Sequence, residues 1–176
     1  MTTPPAVPPH LLDRPLAGGL VVPWITPVTN AGVSLFGNIA EANQHRCLRE
    51  RRCQICGRHL PDTAVLFARR SDLLLQCTSE PATCPPCAVY SARACPMLSG
   101  ARTTYRSGTH PALADAPADP QRRLRQSAAA ERWFAVHVQQ YTVIRHPEVP
   151  DTLAASWRRI PPLRIDPALA IGGPAA

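Results

Sequence analysis

Lysine is absent from this 176-residue chain, so all 19 of its basic residues are arginine. Complete use of Arg beside 26 Ala and 21 Pro follows the codon supply of a GC-rich genome, so most of the Arg excess needs no functional cause. Aromatic residues are scarce too: three Trp, three Tyr and three Phe. The hydrophobic fraction of 45% therefore overstates the core, because Ala makes up so much of it. A core of small side chains wants a further stabiliser. Long apolar runs are also missing. Residues 19–28 are cut by Pro23 and Pro27, and nothing approaches the roughly 18 uninterrupted apolar residues of a membrane-spanning helix. The opening Met1-Thr2-Thr3-Pro4-Pro5 has neither the basic leader nor the apolar stretch of a secretory signal, which leads to the expectation of a cytoplasmic protein. No Gly-rich phosphate loop, paired-acid signature or Ser-centred nucleophile elbow is present, which weakens an enzymatic reading.

Pro and Gly together make about a sixth of the chain, high for a packed domain but short of the level at which disorder is expected. One folded unit with loose ends follows. Residues 1–37 read as a Pro-rich extended arm, in which 20–25 is apolar enough to dock as an edge strand or core plug with Trp24 as an anchor. Asn38 and Glu41 match a capping box, predicting a helix over about 39–51. Residues 63–69 and 73–77 read as the strands of a hairpin turned at Arg70-Ser71-Asp72. Pro85 and Pro86 suit a helix start, and Cys95-Pro96 closes that helix. A module over 38–98 is then followed by a loop over 99–118 and by a segment over 119–167 that packs on the module. That segment holds a helix over about 120–131 and short antiparallel strands within 133–145 and 157–165. Residues 168–176 read as a disordered tail.

Seven Cys supply the missing stabiliser. Cys53-Gln54-Ile55-Cys56-Gly57 and Cys84-Pro85-Pro86-Cys87 are two Cys-x-x-Cys pairs enclosing 27 residues. Two thiolates at a knuckle and two at a helix start suit zinc, a d¹⁰ ion that imposes no geometry of its own. Disulfides would need an oxidising compartment that the N-terminus does not suggest. Cys47, Cys77 and Cys95 are small buried hydrophobes in the simplest reading; the sharper alternatives are a second site with His45 or His59, or replacement of Cys84 by Cys77 in the first.

With these residues in view, the stretch over 53–95 resembles treble-clef zinc domains, in which a Cys-x-x-Cys-Gly knuckle, a hairpin and a helix carrying the second ligand pair meet around one ion. A zinc ribbon remains the variant, since the enclosed gap exceeds the roughly 15–20 residues usual for paired Cys-x-x-Cys sites. The resemblance implies an α+β fold with a small treble-clef-like core and a structural zinc on Cys53, Cys56, Cys84 and Cys87.

The net charge of +7 permits an acidic partner. Arg46, Arg49, Arg52 and Arg58 fall on the expected helix and knuckle, and Arg69 and Arg70 at the expected hairpin tip, making a candidate surface for nucleic acid or an acidic protein. Arg52 and Arg58 also flank the knuckle, where they can offset thiolate charge. The competing class is an enzyme. Cys84-Pro85-Pro86-Cys87 at a helix start suits thiol-disulfide exchange, although no βαβ unit precedes it. A degenerate treble-clef nuclease would need a pair of histidines near the hairpin, and only His59 is there. His137 and His146 have no carboxylate or Cys at a spacing that suggests a shared job.

Overall fold

The computed structural model describes residues 4–105 and 127–173, which form an α+β fold of small antiparallel sheets and short helices. Its centre is the strand β3, Ala64–Arg69. This strand pairs with β5, Trp133–Val138, which pairs in turn with β8, Arg164–Pro167. All six residues of β3 are buried because both faces of the sheet are covered. Ala64, Leu66 and Ala68 point into a cluster with Leu48, Val136, Val138, Tyr141 and Trp157. Val65 and Phe67 point the other way, toward Ala88, Leu98, Trp133 and Ala168. The outer edge of β3 is closed by residue 83, with Val65 and Thr83 exchanging backbone hydrogen bonds of 2.9 and 2.8 Å.

A second three-stranded sheet runs in the order β4, β7, β6, from Cys77–Thr78, Leu153–Ser156 and Thr142–Arg145. The hairpin expected over 63–77 is therefore not formed. Residues Arg70–Leu75 make a short helix, α2, instead of a turn. Asp72 accepts a hydrogen bond from the Arg69 amide at 2.8 Å, and Gln76 ends the helix in the left-handed region at φ 54°. The chain thus leaves β3 through a helix and enters the other sheet. The single run expected over 133–145 is also divided, since Gln139, Gln140 and Tyr141 separate β5 from β6 in different sheets. Of the expected strand over 157–165, only the end belongs to a strand; the partner of β6 is β7, which lies before it.

Helix α1, Glu41–Arg49, is shorter than the predicted 39–51 and starts at Ala40 without a side-chain cap. The Asn38 amide group donates instead to the carbonyls of Leu35 and Phe36. Helix α3, Pro85–Ala94, starts with Pro as expected and ends where Cys95 turns extended before Pro96. The expected helix over 120–131 lies in part outside the described residues; within them, 127–131 carry no helix, and Ala129 bridges to Thr104. Ala168–Ile171, the start of the expected disordered tail, form a helix, α4, whose Ala168 is buried against Phe67 and Trp133. Among the described residues no helix is long and apolar enough to cross a membrane.

The arm is docked. A 3-10 turn at Pro9–Leu11 precedes the strands β1, Leu16–Ala17, and β2, Leu20–Val21, which pair around Gly18 and Gly19 at φ 58° and 77°. Two successive left-handed residues are what a tight two-residue hairpin demands. Leu11, Val21 and Val22 are buried.

Candidate metal centre

The first cysteine pair sits on a tight loop between α1 and β3. The Gly57 amide donates to the Cys53 carbonyl and the Cys53 amide to the Arg58 carbonyl, each at 2.8 Å, while Arg52 and His59 bridge across the loop base. Gly57 adopts φ 76°, and a Cβ there would lie 2.7 Å from the Trp24 ring, so only glycine serves. The second pair opens α3, with Cys84 preceding the first turn and Cys87 within it. Gln54 joins the two pairs. Its amide donates to the Ala82 carbonyl at 3.1 Å and its side chain to the Pro81 carbonyl at 2.7 Å, just ahead of Cys84.

This strap brings the sulfurs of Cys53, Cys56, Cys84 and Cys87 within 4.8 Å of one another. All seven cysteines are free thiols. A tetrahedron with metal–sulfur bonds of about 2.3 Å has edges of about 3.8 Å, so a four-thiolate metal site fits with only slight contraction. The thiols also polarise each other strongly. Hydrogen bonding from Cys53 favours the thiolate at Cys56, and at Cys84, whose pKa falls to about 7. Hydrogen bonding to Cys56 holds Cys53 protonated, and the Cys53 sulfur does the same for Cys87. Four sulfurs this close cannot all ionise unless a cation sits among them.

The arm completes the surroundings. The amides of Trp24 and Ile25 donate to the carbonyls of Ile55 and Gln54 at 2.9 and 3.1 Å, and the Val21 amide donates to the Tyr90 hydroxyl at 2.9 Å. His10 Nε2 lies 3.3 Å from the Cys87 sulfur. The Arg14 side chain, bonded to the Val22 carbonyl, is close enough to Cys56 for their charges to interact. The Arg58 amide supports the Cys56 thiolate. Neither His10 nor Arg14 is marked in the sequence as a neighbour of the site, because both come from the arm; the one signal is that the arm is apolar enough to dock.

Cys47, Cys77 and Cys95 stand outside the cluster. Burial pushes Cys47 up to about 12, Cys77 up to about 11, and Cys95 up as well, which disfavours the thiolate at all three. His45 pairs with Glu41 at 3.8 Å, and His59 contacts the Glu50 carbonyl, so neither joins a thiol.

The expected Arg surface is only partly assembled. Arg49, Arg58 and Arg70 are exposed. Arg46 pairs with Glu50 and lies over the Trp24 ring, and Arg52 pairs with Glu50 while donating to the Gly57 carbonyl. Arg69 is not on the surface. It is buried, paired with Asp72 at 3.3 Å and Glu80 at 3.1 Å, and stacked on Trp133. Burial works against its charge, but Glu80 and Asp72 outweigh that and hold the guanidinium ionised.

A further pairing escaped the sequence. His137 on β5 lies 3.1 Å from Asp166 on β8, with Arg164 also on that carboxylate at 3.0 Å. Burial, then Arg164, lowers the His137 pKa. Only the register of two strands distant in sequence puts these groups together. Comparison with known proteins assigns no family: no family model, no curated protein and no solved structure matches the chain.

Proposed function

We propose that Cys53, Cys56, Cys84 and Cys87 hold one structural zinc ion, and that the module around it binds a partner rather than a substrate. The observation that supports this reading is the convergence of four sulfurs from a knuckle and a helix start. Four thiolates close the shell of a tetrahedral ion and leave no position for water or substrate, which is the arrangement of a structural site. In this reading the knuckle and the helix bearing the second pair correspond to those of a treble clef, with α2 in place of a hairpin strand. Four thiolates on Zn²⁺ leave about two negative charges, which His10, Arg14 and the Arg58 amide are placed to offset. In this reading Arg49, Arg58 and Arg70, together with Arg46, meet nucleic acid or an acidic protein partner.

The metal content of the purified reduced chain tests the centre: one zinc per chain with four thiols shielded from alkylation is expected, and metal-free protein with reactive thiols would overturn it. The partner is tested by titrating random duplex and single-stranded DNA at rising salt. Affinity should fall by about 0.9 logarithmic units per logarithmic unit of salt for each phosphate contacted on duplex. Undetectable binding at low salt leaves the acidic protein. A second reading has one specific support, the lowered Cys84 thiol at the start of α3, which suits thiol-disulfide exchange. Insulin-reducing activity with an accessible Cys84–Cys87 pair would favour it over zinc.

A further inference from the structure

The arm brings a nitrogen donor against the sulfur quartet: Nε2 of His10 lies 3.3 Å from the Cys87 sulfur. On one tetrahedral ion, a nitrogen at about 2.0 Å and a sulfur at about 2.3 Å stand about 3.5 Å apart. Nε2 and the Cys87 sulfur therefore already have nearly the separation of two ligands that share a metal. The fold fixes this placement. Pro8 and Pro9 restrict the backbone ahead of His10, Pro9–Leu11 form the 3-10 turn, and the fully buried Leu11 belongs to the cluster of Cys53, Cys87 and Tyr90. His10 is thus seated at the sulfurs by the residue that follows it.

The four sulfurs are not held alike. Cys53 and Cys87 are buried, whereas Cys56 and Cys84 are partly exposed. Cys56 lies inside the closed loop of the knuckle, between the 2.8 Å hydrogen bonds of the Gly57 and Cys53 amides. Cys84 stands ahead of the first turn of α3 with extended backbone, so its sulfur can swing toward solvent without opening a loop. It also shares the start of α3 with Cys87, the sulfur that His10 already meets. Of the two exposed sulfurs, Cys84 is the one whose place on an ion His10 is set to take.

We propose that His10 is a fifth donor of this site: when the Cys84 sulfur leaves, His10 Nε2 takes its place, and the ion stays bound by Cys53, Cys56, Cys87 and His10. This rests on the zinc reading above. Three thiolates and one imidazole also close a tetrahedral zinc shell. The exchange needs the ring proton on Nδ1, so that the Nε2 lone pair faces the ion. The test is a cobalt(II) titration of the intact reduced chain, read by its sulfur-to-cobalt charge-transfer and visible bands. Failure of the parent chain to take up cobalt would sink the zinc reading itself. Cys84→Ala should still bind one cobalt per chain, with weaker charge transfer and visible bands moved to shorter wavelength. His10→Ala should cost about 10- to 100-fold in cobalt affinity in the parent, where His10 only supports Cys87. In the Cys84→Ala background, where it is a ligand, the cost should be about tenfold greater still. Equal costs in the two backgrounds would make His10 a hydrogen-bond partner of Cys87 alone and overturn the proposal. So would a greater dependence on His10 in Cys56→Ala than in Cys84→Ala. Cys84→Ser, closer in shape, is titrated in parallel, and loss of cobalt from both Cys84 variants also overturns it.

Discussion

The two ends of this molecule are built by different means. At the sheet end, strands distant in sequence bury Leu66, Val136, Val138 and Trp157 among alanines, and the backbone ladder sets the geometry. At the cysteine end no long ladder exists. Short segments from the arm, the knuckle and α3 meet around four sulfurs, with Leu11, Val21, Ile55 and Tyr90 packed about them. A chain poor in large side chains can sustain one modest hydrophobic core; at the other end the proposed metal centre would stand in for the missing area.

Metal removal is the strongest test of that contrast. A structural zinc contributes roughly 10–16 kcal/mol in small peptide sites. Chelation, or Cys87→Ser, should therefore strip hydrogen-exchange protection from the amides of Val21, Trp24 and Gly57 while those of Leu66 and Val136 stay protected. Simultaneous loss at both ends would show one cooperative unit and erase the distinction.

The next effect belongs to the sheet end. Arg69→Met leaves Asp72 and Glu80 without their buried cation, and about 3–5 kcal/mol of stability should be lost in urea unfolding. Metal affinity should not change. A variant that loses zinc as well would tie the two ends together.

Alkaline pH gives a smaller and reversible probe of the same end. Tyr141, which donates to the Leu48 carbonyl at 3.1 Å, is pushed from 10.0 to about 12 by burial. The folded form holds this proton more tightly than the unfolded form. Its contribution is therefore full below pH 10 and is lost as pH rises toward 12, amounting to roughly 2–3 kcal/mol. Stability curves of the parent and Tyr141→Phe should converge over that interval; parallel curves would exclude Tyr141 as the source.

The smallest effect is at the cysteine end. His10→Ala removes the group 3.3 Å from the Cys87 sulfur and should lower zinc affinity about 10- to 100-fold in a competition with a chromogenic chelator. Unchanged affinity would make the arm a cover without influence on the ion.

How far the sequence disclosed this arrangement depends on range. The sulfur quartet was legible because each pair is a local motif and each has local structure that presents it: Gly57 in one, Pro85 and Pro86 in the other. The hairpin was misjudged because Leu73-Leu74-Leu75 is a short apolar run that fits strand or helix equally. Asp72 decided it by accepting the Arg69 amide, and a single residue of this kind leaves no periodic trace. The N-terminus of α1 failed similarly, since Asn38 turned its side chain back to Leu35 and Phe36. The burial of Arg69 was invisible because its partners include Glu80 and Trp133, brought close only by the fold. His10 beside Cys87 is the extreme case, two residues 77 positions apart.

The pairing of β3 with β5 carries a consequence for synthesis on the ribosome. Val65 and Phe67 emerge early, yet the strand that shields them begins at Trp133, some 65 residues later. At 5–20 residues per second, that gap leaves an apolar strand waiting several seconds for its complement. During that interval the cysteine end, whose four sulfurs are all present once residue 87 has been made, is the part of the nascent chain able to close first once α3 has followed; with an ion bound as proposed, it would hold the waiting strand beside α3 until the rest arrives.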